Sequence, residues 1–212
     1  MNVQATPTAE NHRTRFLIGA GVVVLVGITA VFLLARFLTP PSFYGTSFQS
    51  SQPAQNFTLT AHTGQPVSLH DFQDKIVLLY FGYTYCPDVC PATMSELAQA
   101  MRQLTPQQQE QVQVIMITVD PERDTPEVLA NYLSYFHPTF IGLTGTEAEI
   151  AAAAIPLGVY YEQEAGTAQS GYLVNHTASV MALDKRGYLR LIYPFDTRGA
   201  DIAADLRQLA RE

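Results

Sequence analysis

A stretch near the N-terminus, FLIGAGVVVLVGITAVFLLA, runs from Phe16 to Ala35 without a charged residue. An α-helix rises about 1.5 Å per residue, so this stretch is about as long as the core of a bilayer is thick. A cleavable signal peptide has a shorter apolar region and ends at a small-x-small site, which the LLARFLTPP at the end of this stretch does not offer. We therefore expect an uncleaved transmembrane helix over residues 16–38, after a short cytoplasmic segment of residues 1–15.

The cations that flank the predicted helix indicate its orientation. Arg13 and Arg15 precede the apolar stretch, whereas Arg36 is the one cation that follows it before Lys75. The cytoplasmic flanks of membrane helices carry the excess of Lys and Arg. This bias predicts an N-terminus inside the cell, with the rest of the chain outside the cytoplasm.

The remaining chain divides into a linker and one domain. Residues 39–53 (TPPSFYGTSFQSSQP) are rich in proline and serine, which predicts a linker, and residues 54–212 have the length of one ordinary domain. The hydrophobic pattern predicts, in order, a hairpin around Gly64, buried strands over 75–83 and 113–119, helices after Pro91, over 124–136 and over 146–155, a hairpin of 177–183 with 188–193, and a final helix over 201–211. This alternation is typical of an α/β sandwich with a mixed central sheet.

The charge balance excludes one class of partner. The chain has a formal net charge of −7, and beyond Leu38 nine Lys or Arg are set against eighteen Asp or Glu. The nucleic-acid backbone is bound by cationic surface, which this domain lacks as a general field. We expect no nucleic-acid partner.

The segment FGYTYCPDVCP holds Cys86 and Cys90, the two cysteines of the chain. They follow a predicted buried strand and open a predicted helix, where backbone N–H groups and the helix dipole favour a thiolate. Three interpretations are open. A structural disulfide would close a very small loop and stabilise the fold weakly. A redox pair usually has the spacing C-x-x-C, one residue shorter than this one. A metal site needs at least one more ligand.

Histidine is the obvious third ligand, and the chain has five. His12 precedes the membrane span and cannot reach the cysteines, while His62, His70 and His137 have ordinary surface or helix-end interpretations. His176, in LVNHTASVMALD, stands at the entry to an apolar strand, in a loop that can face the cysteine turn. On spacing alone, a structural loop histidine remains an alternative. Two thiolates and one imidazole suit copper, with zinc as the competitor.

Several segments resemble the Sco/SenC family in sequence and in order. They are YFGYTYCPDVCP, VDPERDTPEVLANY, FIGLTGT, GVYY and YLVNHTASVMALDKRGYLRLIYPFD, and the resemblance extends from about Phe57 to the C-terminus. It implies a thioredoxin-like fold, copper binding as Cu(I), Cu(II) or both, and a metal site made of Cys86, Cys90 and His176. Family members help to assemble the copper-A centre of cytochrome c oxidase.

The resemblance therefore implies a copper chaperone rather than an enzyme. Its partners would be the copper-A subunit of the oxidase and an upstream periplasmic copper donor, and its place would be the inner membrane of a bacterium, with the domain in the periplasm. Two alternatives use the same residues. One is a thiol–disulfide reductase that keeps the acceptor's cysteines reduced, with Cys86 and Cys90 as its redox pair. The other is a copper- or redox-responsive signalling protein.

The sequence departs from the family pattern at two positions beside the ligands. Asn175 stands where family members often have Asp, and Tyr85 where bacterial members often have His. Both substitutions are expected to alter the hydrogen bonds around the metal rather than its ligands. Asp120, Glu122 and Asp124, in VDPERD, match a family segment, and we expect them to order a loop and cap a helix. The predicted loop VNHT lacks the proline that faces the cysteine pair in thioredoxin-like enzymes.

Overall fold

The computed structural model describes residues 10–38, 42–166 and 171–212 of the chain. It forms two compact units, the first up to Ser42 and the second from Phe43 to Glu212. The first unit contains one helix, α1 (Glu10–Leu38). Within it, Thr14–Phe32 has a mean hydropathy of 2.2 and is long enough to cross a membrane, in agreement with the predicted N-terminal helix.

The second unit alternates strands and helices along the chain. Its first half contains β1 (Thr46–Ser47), β2 (Thr58–Ala61), β3 (Pro66–Ser68), β4 (Ile76–Gly82), α2 (Val89–Arg102), α3 (Pro106–Gln109), β5 (Val112–Thr118) and α4 (Pro126–Ser134). Its second half contains β6 (Ile141–Thr144), α5 (Glu147–Ala154), β7 (Tyr161–Ala165), β8 (Tyr172–His176), β9 (Val180–Leu183), β10 (Leu189–Tyr193) and α6 (Gly199–Leu209).

Eight of these strands form one mixed sheet in the order β1-β10-β9-β4-β5-β6-β2-β3. The pairs β4–β5 and β5–β6 are parallel, and β9 joins β4 in antiparallel orientation. Strands β7 and β8 form a separate antiparallel pair. The α/β fold with a mixed central sheet is therefore as predicted.

The two central strands form the middle of the core. Every residue of β4 and of β5 is buried, as expected for apolar strands covered on both faces of a sheet. Helices α2 and α6 pack against each other. A Cβ atom on Gly199 would lie 2.5 Å from the carbonyl oxygen of Glu96, so only glycine permits this close approach. The contact fixes α2, the helix that carries Cys90.

The start of the domain differs from the predicted boundary at residue 54. The backbone N–H groups of Tyr44 and Gly45 donate to the carboxylate of Asp205 at 2.9–3.1 Å, and β1 pairs with β10. Residues from Phe43 onward thus belong to the folded unit, and the predicted linker of 39–53 is too long. Composition misses this segment because most of its contacts with the domain are backbone hydrogen bonds, which any residue type makes.

Four strands were not predicted, namely β1, which lies within the predicted linker, and β6, β7 and β8. Strand β6 is short, and β7 and β8 lie outside the main sheet, with four of the five β7 residues exposed. A strand that buries little apolar surface gives no clear period-two pattern. As a consequence, His176 is the last residue of β8, paired with Tyr161, rather than part of a loop at the entry to β9.

Candidate metal centre

The two cysteines lie where the chain passes from the central strand β4 into helix α2. Cys86 lies in the turn after β4 and is half-buried, whereas Cys90 lies in the first turn of α2 and is fully buried. The backbone N–H of Cys90 donates to the Cys86 sulfur at 3.4 Å. Strand, turn and helix start thereby place both sulfurs at one edge of the sheet, with Cys86 on the solvent side.

His176 approaches this turn from the separate β7–β8 pair. Its Nδ1 lies 3.2 Å from the carbonyl oxygen of Thr177, which only accepts, so Nδ1 carries the ring proton in a neutral imidazole. The other ring nitrogen, Nε2, is then free of a proton and lies 3.4 Å from the Cys90 sulfur. This tautomer presents a lone pair toward the cysteines, as a metal ligand requires.

The structure brings the three predicted residues together. One donor atom from each of Cys86, Cys90 and His176 lies within 4.8 Å of the other two. A Cβ atom on Gly82 would lie 3.0 Å from the Cys90 sulfur, so glycine at the end of β4 leaves the room that this sulfur occupies. Two sulfurs and one imidazole nitrogen are donors that suit copper or zinc, and the geometry fits a single ion between them.

The two thiols have opposite protonation behaviour. The hydrogen bond from the Cys90 thiol holds the pKa of Cys86 well below its usual range, and the backbone N–H groups of Cys90 and Asp88 act in the same direction against the effect of burial. The same bond to the Cys86 sulfur, together with burial, raises the pKa of Cys90. In the metal-free pair, Cys86 is therefore the more acidic of the two cysteines.

Two tyrosines surround the histidine ring. The rings of Tyr80 and Tyr83 meet the His176 ring edge-on, with centroids 6.0 and 5.9 Å away. The backbone N–H of Val174, in β8, donates to the Tyr83 hydroxyl at 3.3 Å. This bond ties the strand that carries His176 to the turn that carries the cysteines.

Asp124 anchors the cysteine turn from the loop after β5. Its buried carboxylate accepts hydrogen bonds from the backbone N–H of Thr84 at 3.0 Å and from the hydroxyls of Thr84 and Thr118 at 2.5 and 2.6 Å. Burial raises the pKa of this carboxyl, and the threonine hydrogen bonds oppose that rise. Asp124 thus orders the loop, as expected, two residues away from Cys86, but it does not cap α4: the N-cap is Thr125, whose side chain accepts from the backbone N–H of Val128.

Asp120 and Glu122 order the same loop through Arg123, a residue that sequence analysis did not single out. Asp120 forms an ion pair with Arg123 at 2.5 Å and accepts from the Tyr172 hydroxyl at 2.7 Å, while Glu122 accepts from that hydroxyl at 3.4 Å. The Arg123 guanidinium lies 3.7 Å from the Tyr172 ring centroid and 4.8 Å from that of Tyr85. The resemblance pointed to the segment, but no motif in it identifies the arginine stacking.

The other described histidine contacts lie elsewhere. His62 Nδ1 accepts from the backbone N–H of Gly142 at 3.1 Å, and His137 interacts with Thr139. Asn175, the departure beside the histidine, is exposed and pairs with Glu162 across the β7–β8 ladder. The side chain of His12 lies outside the described part of the chain.

Comparison with known proteins gives consistent relatives. The SCO1/SenC family model matches residues 46–211. The mouse protein SCO2 homolog, mitochondrial, is 36% identical over 154 residues, which is 72% of this chain and 60% of that protein, so the chain spans less than two thirds of that relative's length.

Two solved structures resemble the fold over most of the chain. Apo Sco1 from Thermus thermophilus is 44% identical with a TM-score of 0.72, and the matched region covers 81% of this chain and 99% of the Thermus chain. ScoI from Bradyrhizobium japonicum with copper bound is 35% identical with a TM-score of 0.68, and the matched region covers 74% of this chain and 99% of the Bradyrhizobium chain. The predicted thioredoxin-like sandwich is confirmed by these neighbours together with the strand order, and the chain belongs to the SCO1/SenC family.

Proposed function

We propose that this chain is a membrane-anchored copper chaperone that binds one copper ion through Cys86, Cys90 and His176 and delivers it to the copper-A centre of cytochrome c oxidase during assembly. The observation that carries the proposal is the convergence of three soft or borderline donors within 4.8 Å. Membership of the SCO1/SenC family and the copper-bound relative from Bradyrhizobium japonicum support copper as the ion.

The difference in exposure between the ligands suggests how the ion leaves. Copper is the cargo here, and each bond to this chain is exchanged for a bond to an acceptor ligand. Cys86 is half-buried and Cys90 is fully buried, so an incoming acceptor thiolate reaches the copper on the Cys86 side. We infer that the Cys86 bond breaks first and that Cys90 and His176 hold the ion until a second acceptor ligand binds.

The apolar helix α1 supports a location at the membrane. Thr14–Phe32 has the length and hydropathy of a membrane span, and the flanking arginines favour an N-terminus in the cytoplasm. We infer a single-pass protein of the bacterial cell membrane with its domain on the outer side. An upstream copper donor and the copper-A subunit would be its partners there.

Metal analysis of the full-length protein in detergent tests the proposal. Under reducing conditions we expect one copper per chain, and transfer of that copper to the reduced copper-A domain of the same organism's oxidase. The His137→Ala variant should behave as the wild type, because His137 interacts with Thr139 instead. Absence of bound copper, or bound copper that the apo domain cannot remove, would refute the chaperone assignment.

A second candidate is supported by the protonation of the pair. A half-buried Cys86 with a lowered pKa beside a buried Cys90 is suited to attack a disulfide, after which Cys90 would release the reduced substrate and leave a Cys86–Cys90 disulfide. Such a reductase would keep the acceptor's cysteines reduced. Insulin disulfide reduction that survives His176→Ala would favour this role, and its loss or absence favours the chaperone. A signalling role would instead leave oxidase copper content normal in a deletion strain.

A further inference from the structure

A buried phenol lies next to the candidate metal centre. Tyr80, in β4, is 0% exposed. Within the described part of the chain its hydroxyl makes no well-formed hydrogen bond. Burying a hydroxyl without a partner costs about 1–3 kcal/mol, so such a group calls for an explanation.

The surroundings of Tyr80 identify what the hydroxyl faces. A Cβ atom on Gly82 would lie 3.2 Å from the Tyr80 Cζ atom, which bears the hydroxyl, and 3.0 Å from the Cys90 sulfur. The polar neighbours of the phenol are the Cys90 thiol and the Thr93 hydroxyl. Thr93 donates its own proton to the carbonyl oxygen of Val89 at 2.9 Å, so this proton is engaged elsewhere.

Metal binding changes the acceptor that Tyr80 faces. A cysteine binds copper as the thiolate, so the Cys90 sulfur carries negative charge in the loaded protein. Hydrogen bonds to an ionised acceptor are about twice as strong as those to a neutral one. A phenol hydroxyl beside this sulfur is then a donor with a good acceptor.

We propose that Tyr80 is a positioning residue whose hydroxyl donates a hydrogen bond to the Cys90 sulfur in the loaded protein and thereby favours Cu(I) over Cu(II). This inference rests on the proposed copper site. The physical reason is that a hydrogen bond withdraws electron density from the thiolate. Binding of Cu(II) needs more electron donation from the sulfur than binding of Cu(I), so it is weakened more. Tyr83, whose hydroxyl accepts from Val174, is already engaged in holding β8.

The test compares Tyr80→Phe with Tyr193→Phe in the full-length protein. Tyr193 is a matched control, because its phenol is 1% exposed and its hydroxyl also lacks a well-formed hydrogen bond in the described residues, but its polar neighbour is Asp205 rather than either cysteine. Competition with chelators specific for Cu(I) and for Cu(II) gives both affinities. The absorption band that arises from thiolate-to-Cu(II) charge transfer reports on the sulfur directly.

We expect Tyr80→Phe to lower the ratio of Cu(I) to Cu(II) affinity about tenfold, which corresponds to about 1.4 kcal/mol, and to shift the charge-transfer band to longer wavelength. The melting temperature of the metal-free variant should not fall, because the Tyr80 hydroxyl makes no well-formed hydrogen bond to the described residues in that state. Tyr193→Phe should leave the ratio and the band unchanged.

An unchanged ratio and band in Tyr80→Phe would overturn the inference, as would an equal shift in Tyr193→Phe. The same measurements distinguish failure of this inference from failure of the proposed copper site. If the wild-type protein bound no copper, the proposed function would fail and this inference with it. If the wild type bound copper and His176→Ala weakened that binding, while Tyr80→Phe matched the wild type, the inference alone would fail.

Discussion

At the scale of single residues, the three candidate ligands differ in what each contributes. Cys86 is half-buried with a lowered pKa, Cys90 is fully buried with a raised pKa, and His176 is a ring whose proton is held on Nδ1 by the carbonyl oxygen of Thr177. Thiolates are soft donors that favour Cu(I), whereas imidazole is a harder donor that matters more for Cu(II). Substitutions should therefore affect the two oxidation states differently.

Removing either sulfur should abolish tight binding of both copper ions, and removing the imidazole should discriminate between them. We expect Cys86→Ser and Cys90→Ser to lose both affinities by several powers of ten, since every ~1.4 kcal/mol is a tenfold change. His176→Ala should lose more Cu(II) than Cu(I) affinity, because two sulfurs remain. Chelator competition measures each variant, with His137→Ala as the control. Unchanged affinities in His176→Ala would show that this residue is not a ligand.

At the scale of elements, the loop between β5 and α4 holds the cysteine turn in place. Asp124 accepts three hydrogen bonds from Thr84 and Thr118, one of them from the Thr84 backbone. Arg123 lies against the rings of Tyr172 and Tyr85, and so links this loop to β8 and to the turn. The β5–α4 loop, strand β8 and the cysteine turn are distant in sequence, and these contacts join them in one network beside the cysteines.

The Asp124→Asn variant should show the role of this loop through the pH dependence of stability. Burial raises the pKa of Asp124, so the folded protein keeps this proton to a higher pH than the unfolded chain, whose carboxyl titrates near ~3.9. Retaining this proton stabilises the folded protein. The stabilisation is fully present below the unfolded-state pKa of ~3.9 and is lost as pH rises through the raised pKa of the folded state. Asparagine cannot titrate, so the excess stability of the wild type over the variant should shrink as pH rises.

Urea unfolding at a series of pH values measures this difference. Asp74→Asn is a suitable control, because Asp74 is exposed and its φ of 67° is a conformation that asparagine also adopts readily. Near neutral pH, Asp124→Asn should still cost about 1–3 kcal/mol, since the amide cannot accept all three bonds. A wild-type advantage that grows with pH would contradict the expected sign.

At the scale of the whole molecule, the domain begins earlier than its composition suggests. Asp205, on α6, is 2% exposed and receives the N–H groups of Tyr44 and Gly45, and the N–H of Phe48 donates to the carbonyl oxygen of Arg190 at 2.7 Å. Removing this segment would leave a buried carboxylate without these donors and would expose the edge of β10. Buried charges that lose their partners are strongly destabilising.

Two soluble fragments test this boundary. A fragment of residues 39–212 should fold and bind copper, because no candidate ligand precedes it. A fragment of residues 54–212 should be less stable by about 3 kcal/mol or more, the cost of unpairing a buried charge. Urea unfolding of both fragments gives the difference. Equal stability would mean that residues 43–53 are a linker after all.

The orientation of the chain is testable with a reporter fused to its C-terminus. The excess of arginine before the apolar helix predicts that the domain lies outside the cytoplasm. A C-terminal alkaline phosphatase fusion should therefore be active, since this enzyme needs an oxidising compartment to form its disulfides. A fusion that is expressed but inactive would reverse the orientation and remove the basis for a periplasmic role.

The sequence by itself was sufficient for the features that depend on local pattern. The charge-free stretch of α1, the continuous apolar runs of β4 and β5, and the start of α4 at Thr125–Pro126 all agree with the structure. The helix follows from the length of its apolar stretch, the two strands from burial on both faces and the start of α4 from capping, all of which neighbouring residues specify. The spacing of Cys86 and Cys90 indicated redox or metal chemistry, and the choice of His176 came from the family resemblance.

Tertiary structure alone decided how these parts meet. His176 reaches Cys90 because β8 is held by Tyr83 and by the stacking of Arg123 on Tyr172, contacts between residues far apart in the chain. The same holds for the docking of residues 44–45 on Asp205 and for the buried phenol of Tyr80 beside Cys90. Sequence pattern reports whether a residue is buried, but not which distant group it meets, because that partner is chosen only when the whole core packs.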